Sequence, residues 1–211
     1  MLSKKRRLND SRLYLILDKE VCGENMKPIL EKALQGGVDI VQYRDKVSSN
    51  KVMAKAGEPL FDICRKYRVP FIVNDRLDVA LALDADGLHI GQDDMPVALA
   101  RKLLGQNKII GLSCHSARQV MNAQNTDSDY LGFGPVFKTL TKPRVAARGI
   151  QGFKKALKAS KLPIFAIGGI TKYNISQMST MGIIRIACIR EICLASDPRT
   201  AALKLKICIK N

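Results

Sequence analysis

The chain has 211 residues, 46% of them hydrophobic, enough for one sizeable domain whose core needs neither metal ions nor crosslinks. Trp is absent and aromatics make up 5%, so that core must be mainly aliphatic, as in parallel sheets buried on both faces. The formal charge is +16, yet apart from Lys4-Lys5-Arg6-Arg7 the basic residues are scattered, and no zinc finger or aromatic RNA-binding signature accompanies them.

The charge pattern therefore argues against a nucleic-acid partner, while a basic field of this size steers small anions toward a cleft. No apolar run approaches the ~20 residues of a membrane span. No secretory signal is recognisable at the N-terminus, so the expectation is a cytoplasmic protein without a membrane partner. The six cysteines form no C-x-x-C pair and only two His accompany them, which reads as reduced thiols. Cys114, after a predicted strand, reads as a small apolar filler.

Residues 1–11 read as a basic tail. Short apolar runs then recur at Leu13–Leu17, Asp39–Tyr43, Phe71–Asn74, Gly87–Ile90, Ile109–Ser113, Tyr130–Phe133, Ile164–Ile167 and Ile184–Ala187. Segments with helical spacing separate them: Met26–Gln35, Asn50–Tyr67, Leu77–Leu83, Val97–Leu104, Ala117–Gln124, Gly152–Ala159 and Ile175–Met181, with Pro198–Ile209 last. Alternating strands and helices imply a parallel sheet. Eight such units predict a single-domain (β/α)8 TIM barrel, with a doubly wound open sheet as the structural alternative.

A barrel of this kind keeps its active site at the C-terminal ends of the strands. The second run ends in "VQYRDK", where Gln42, Arg44 and Lys46 alternate and so share one side. A Gln, an Arg and a Lys together suit a diphosphate, with Arg able to fork onto two oxygens. The third run ends in Asn74-Asp75 and the fourth leads to Gln92-Asp93-Asp94. Either acid alone reads as a helix N-cap. Two carboxylates from adjacent strand ends can also share one divalent cation, and magnesium takes such oxygen ligands together with substrate phosphates.

After the fifth run, Ser113 can meet a polar substrate edge, and His115 reads as a structural or capping residue. His89 lies within a strand and reads as buried and satisfied. The sixth run opens into "GFGPVFKTLTKP", where Gly132 and Gly134 allow close backbone approach and Thr139, Thr141 and Lys142 offer two hydroxyls and a cation. The loop Gly134–Arg148 reads as a lid over an anionic substrate. The seventh run ends at Gly168-Gly169, placed just before a predicted helix, where backbone N–H groups can bind phosphate.

The stretches "VQYRDK", "VNDRLDVALALDADGLHIGQDDMP", "IIGLSCHS", "DYLGFGPVFKTLTKP" and "LPIFAIGGIT", in this order and spacing, resemble the thiamine-phosphate synthase family from about Leu13 to Ala201. The resemblance implies a Mg²⁺-dependent transferase on a TIM barrel that joins a hydroxymethylpyrimidine diphosphate to a thiazole phosphate and releases pyrophosphate. It implies Asp75 and Asp94 as metal ligands. It implies Gln42, Tyr43, Arg44, Asp45, Lys46, Asn74, Ser113 and Lys142 as the pyrimidine diphosphate site, with Arg44, Lys46, Ser113 and Lys142 catalytic. Thr139, Leu140, Thr141, Gly169, Ile189 and Arg190 would meet the thiazole phosphate. The resemblance leaves homo-oligomer formation open.

The likeness weakens at "IIRIACIREI", where Arg185 stands for a usual Gly and Arg190 for a usual Ser. Arg190 either serves the thiazole phosphate as a cation or obstructs it; obstruction would make the chain an impaired paralogue that binds phosphate ligands without turnover. A related thiazole tautomerase carries His at the position of Pro135 and lacks the Asn-Asp pair, so both features of this chain favour the synthase.

Overall fold

The computed structural model describes residues 8–141 and 145–209. Eight parallel strands close into one barrel in sequence order: β1 (Leu13–Asp18), β2 (Ile40–Arg44), β3 (Phe71–Asn74), β4 (Gly87–Ile90), β5 (Ile109–Cys114), β6 (Tyr130–Phe133), β7 (Ile164–Ile167) and β8 (Ile186–Cys188). Pairing of Leu13 with Ile186 and of Leu15 with Cys188 joins the last strand to the first, so no edge is left. The open doubly wound sheet is thereby excluded.

Around the barrel run α1 (Lys19–Cys22), α2 (Met26–Gln35), α3 (Asn50–Tyr67), α4 (Leu77–Ala82), α5 (Val97–Leu104), α6 (Ala117–Ala123), α7 (Gly149–Ala159), α8 (Ile175–Ser179), α9 (Arg190–Cys193) and α10 (Pro198–Cys208). In α3, Met53, Gly57, Leu60 and Cys64 are buried, a spacing of three or four that turns one stripe toward the sheet. Ser49 caps its start by accepting from Val52 N–H, and Arg68 ends it in the left-handed conformation. α10 starts on Asp197, whose carboxylate accepts from Arg199 and Thr200 N–H, with Pro198 as its first residue. Among the described residues no helix is long and apolar enough to cross a membrane.

Two apolar layers follow from the period of two along each strand. Leu13, Leu15 and Leu17 of β1 join the layer between sheet and helices, whereas Tyr14 and Ile16 point into the barrel. Ile40, Ile72, Ile109, Tyr130, Phe165 and Ala187 fill the interior from the other strands. The core is mostly aliphatic, as composition requires, but the barrel axis holds an aromatic trio. Tyr14 and Phe165 pack edge-on at 5.4 Å, Tyr130 and Phe165 at 5.8 Å. Cys114 is fully buried on the helix side, and burial pushes its thiol up to about 12.

The lower rim explains three acids that precede strands. Asp39 accepts from Arg12 and Leu13 N–H, Asp86 from Phe71 N–H, and Asp129 from Ile110 N–H. Each ties the start of an odd strand to the residue entering the next even one. Part of the expected tail belongs to this rim: residues 8–10 are helical and Leu8 is buried among the interior side chains. The basic cluster Lys4–Arg7 lies outside the described residues.

β8 begins at Ile186 rather than at Ile184, because Leu13 of β1 and Ala166 of β7 both pair with Ile186. Arg185 thus sits below the strand, donating to the Asn9 carbonyl at 2.7 Å. Burial and the neighbouring Arg12 charge lower its pKa, and among the described residues its Nε has no hydrogen-bond partner. The two four-residue helices α1 and α9 carry too few turns for a periodic signal, so sequence spacing did not reveal them.

Candidate active site

The inward side chains at the upper ends of the strands surround a cavity of about 400 Å³, within the usual range for small-molecule sites. Gln42, Arg44, Asn74 and Ser113 reach it from β2, β3 and β5. Thr139, Leu140, Thr141, Gly169, Ile189 and Arg190 line its other side. Four of the eight sequence-predicted pyrimidine diphosphate residues and all six thiazole phosphate residues therefore line one cavity, and Lys46 is not among its lining residues. Gln42 is buried, as inward period-two geometry demands, and Arg190 is exposed at the first turn of α9.

Tyr43 behaves differently from its neighbours. One residue out of phase, it turns into the sheet–helix layer, donating to the Met53 carbonyl at 3.3 Å, so its side chain does not face the cavity. Asp45 is buried and accepts from Val47 N–H and Ser48 N–H at 3.0 and 2.9 Å. Burial works against its ionised form, but the Ser48 hydroxyl, these N–H groups and the Lys19 charge prevail and hold the carboxyl below its ordinary value. Asp45 shapes the turn that carries Lys46. Lys142 lies outside the described residues.

Charge at the rim is paired. Arg44 forms an ion pair with Asp18 and lies 3.6 Å from Glu20. Asp18 is buried and also caps α1 through Glu20 N–H at 3.0 Å. Lys46 pairs with Asp75, whose backbone is left-handed at φ 58 while its N–H extends the ladder to the His89 carbonyl at 2.8 Å. A non-glycine residue held this way is strained and marks a place where geometry is imposed. Asp94 accepts from Gly91 N–H at 2.7 Å. Among the described residues no three His, Cys, Asp or Glu side chains gather into a metal cage. Two carboxylates after adjacent strands are instead the kind of donor set suited to a hard cation that completes its shell from water and phosphate.

The loop after β6 is stitched at its base. Val136 N–H donates to the Ile167 carbonyl, Phe137 N–H to Gly168, and Arg148 N–H returns to Pro135. Gly168 and Gly169 have φ of 99 and 64, and a side chain on either would overlap Pro135 or the Phe137–Lys138 backbone. This pair lets the loop lie against β7. It does not open a helix, since α8 begins only at Ile175. His115 holds the same loop, its Nδ1 bonding the Gly134 carbonyl at 2.7 Å, in keeping with a structural role.

A family model described as thiamine monophosphate synthase matches residues 13–192. The chain belongs to the thiamine monophosphate synthase family. The thiamine-phosphate synthase of Vibrio campbellii is 43% identical over 196 residues, covering 92% of this chain and 96% of that protein. That of Chloroflexus aurantiacus is 44% identical over 199 residues, covering 93% and 92%. A solved thiamine phosphate pyrophosphorylase from Pyrococcus furiosus superimposes with a TM-score of 0.87 at 36% identity, covering 96% of this chain and 97% of that one. The chain is an enzyme of this family, a transferase.

Sequence reasoning about this thiamine monophosphate synthase family member missed three features of the mouth. Asp18, the anchor of Arg44, was legible in "LILD", an apolar run that ends on an acid. Lys138 and Thr171 also line the cavity. The third is polar and interior: Gln42 Nε2 donates to Tyr14 Oη at 2.9 Å, and Tyr14 and Tyr130 hydroxyls meet at 2.7 Å. Tyr130 Oη lies 2.9 Å from His89 Nδ1, and His89 Nε2 2.9 Å from Ser113 Oγ. His89 is buried and satisfied, as expected, yet it also touches the cavity.

Proposed function

We propose that the chain joins 4-amino-5-hydroxymethyl-2-methylpyrimidine diphosphate to a thiazole phosphate, releasing pyrophosphate and forming thiamine phosphate, with Mg²⁺ as cofactor. The observation that carries this reading is the single cavity where Gln42, Arg44, Asn74 and Ser113 face Thr139, Thr141, Gly169 and Arg190. One side offers an Arg with an amide and a hydroxyl, suited to a pyrimidine carrying a diphosphate. The other offers hydroxyls and a cation, suited to a second phosphate.

Arg44 and Lys46 would hold the diphosphate, with Lys142 as a third cation by the sequence reading. As the bond to pyrophosphate breaks, negative charge grows on the leaving oxygens, and these fixed cations stabilise it more than they stabilise the ground state. Asp75 and Asp94 would hold magnesium, which when bound neutralises diphosphate charge. Lys46, now paired with Asp75, then has an anion of the substrate as an alternative partner. Ser113 and Gln42 would orient the pyrimidine so that its methylene faces the thiazole nitrogen, and no protein nucleophile is needed. Thr139, Thr141, Gly169, Ile189 and Arg190 would seat the thiazole phosphate. Arg190 is exposed at the rim rather than packed into the cavity, which supports a cationic contact over an obstruction.

The test is a turnover assay with both substrates, with Mg²⁺ and with excess chelator. Product formation that disappears with chelator and returns with added Mg²⁺ is expected. Tight pyrimidine diphosphate binding without product would instead favour a non-catalytic binder.

A further inference from the structure

The buried chain Gln42–Tyr14–Tyr130–His89–Ser113 crosses the barrel and ends, on both sides, at a residue lining the cavity. We propose that Tyr14, Tyr130 and His89 are positioning residues that orient the Ser113 hydroxyl proton into the cavity and lock its polarity to that of the Gln42 amide.

The direction follows from counting protons. Gln42 Nε2 donates to Tyr14 Oη. Tyr14 has one proton of its own and, among the described residues, one other partner, Tyr130. If Tyr130 donated to it as well, Tyr14 would accept twice and leave its own proton buried and unbonded, which is the expensive arrangement. Tyr14 therefore donates to Tyr130, and Tyr130 donates to His89 Nδ1. A neutral imidazole that accepts at Nδ1 carries its proton on Nε2. His89 Nε2–H then donates to Ser113 Oγ, so the Ser113 proton turns away from His89 toward the cavity that Ser113 lines. Both tyrosines are buried, and desolvation raises their pKa, so they relay hydrogen bonds as neutral hydroxyls.

Gly111 makes room for the chain. A methyl group there would overlap the Tyr130 ring and lie 2.5 Å from His89 Nδ1. The chemical consequence concerns ligand choice. Ser113 presents a donor, so the ligand edge beside it must be an acceptor, such as a bare ring nitrogen, and a C–H at that place leaves the serine proton unpaired. This deepens the proposed function and rests on its assignment of the pyrimidine to the Ser113 side.

The first experiment does not use activity. Nitrogen-15 NMR of the intact protein reads the tautomer of each imidazole; with two His in the chain, a His115→Asn variant assigns the signals. A bare Nδ1 and protonated Nε2 on His89 is expected; a proton on Nδ1 overturns the proposal, whatever the enzyme turns over. The second uses Tyr130→Phe, which removes the donor to Nδ1. The His89 signals should shift toward mixed tautomers, and kcat/KM for the pyrimidine diphosphate should fall about tenfold, the size expected for one uncompensated buried donor. Tyr14→Phe/Tyr130→Phe should fall no further than Tyr130→Phe, since one break suffices; fully additive losses would contradict a single chain. An analogue with C–H in place of the acceptor nitrogen should be discriminated by wild type and much less by Tyr130→Phe. If wild type does not turn over the substrate pair, the functional reading fails while the tautomer result still decides the chain.

Discussion

Replacing Arg44 by Gln separates two roles that one ion pair combines. Asp18 is 1% exposed and Arg44 16%, so the substitution strands a buried carboxylate that keeps the Glu20 N–H as a donor. Breaking a buried pair on one side costs about 3–5 kcal/mol. The surviving N–H bond argues for the lower end, about 3 kcal/mol. For a domain of this size that lowers Tm by about 6–12 °C in a thermal melt. Adding Asp18→Asn removes the orphan charge, keeps a side chain that caps helices equally well, and should recover about 2 kcal/mol. Turnover should not recover: loss of one charged donor to the leaving group lowers kcat about 10²–10³-fold in both variants. Paired melts and steady-state kinetics decide the matter. A double variant that regains both stability and turnover would show that Arg44 is only a strut, and an Arg44→Gln protein with unchanged Tm would refute the buried-pair argument.

Asp75→Asn and Asp94→Asn should each lower turnover at least 100-fold while leaving circular dichroism and Tm close to wild type, with part of the loss recovered at high Mg²⁺; wild-type rates in limiting Mg²⁺ would remove the metal assignment. Arg190→Ser should change kcat/KM for the thiazole phosphate by less than tenfold, whereas a large gain would mean that Arg190 obstructs the site. The Cys114 thiol, raised by burial from 9.0 to about 12, keeps its proton in the fold where the unfolded chain releases it. Its contribution to stability is complete below pH 9 and is lost as pH climbs toward 12, at up to about 1.4 kcal/mol per pH unit. Cys114→Ala should flatten that part of the curve in urea melts; an unchanged slope would contradict the burial argument.

The barrel was legible because each strand is a short apolar run bounded by polar residues, and eight of them alternate with helical spacing. Strand ends were readable to within one residue except at the start of β8, two residues later than its apolar run, which was set by where β1 and β7 begin rather than by its own hydrophobicity. The mouth was legible in "VQYRDK" and "VND" because polar residues at strand ends have only one place to go in this fold. Phase limited it: Tyr43 sits between two cavity residues yet faces the helices, which alternation alone predicts and a contiguous stretch conceals. Acids were the harder case. Asp18 ends a strand and Asp75 follows one, and both reach the upper rim, whereas Asp39, Asp86 and Asp129 precede strands and tie the lower one. The Tyr14–Tyr130–His89 chain was invisible, since its members lie 116 and 41 residues apart and each looks like an ordinary core residue alone.

The most direct test of a cation-and-arginine clamp on pyrophosphate is a crystal structure of the protein soaked with pyrophosphate and Mn²⁺, a stand-in for Mg²⁺ with an anomalous signal. A metal peak bonded to oxygens of Asp75, Asp94 and pyrophosphate is expected, with the Arg44 guanidinium on the same phosphate group. A pyrophosphate bound away from Arg44, or a metal that touches neither carboxylate, would contradict it.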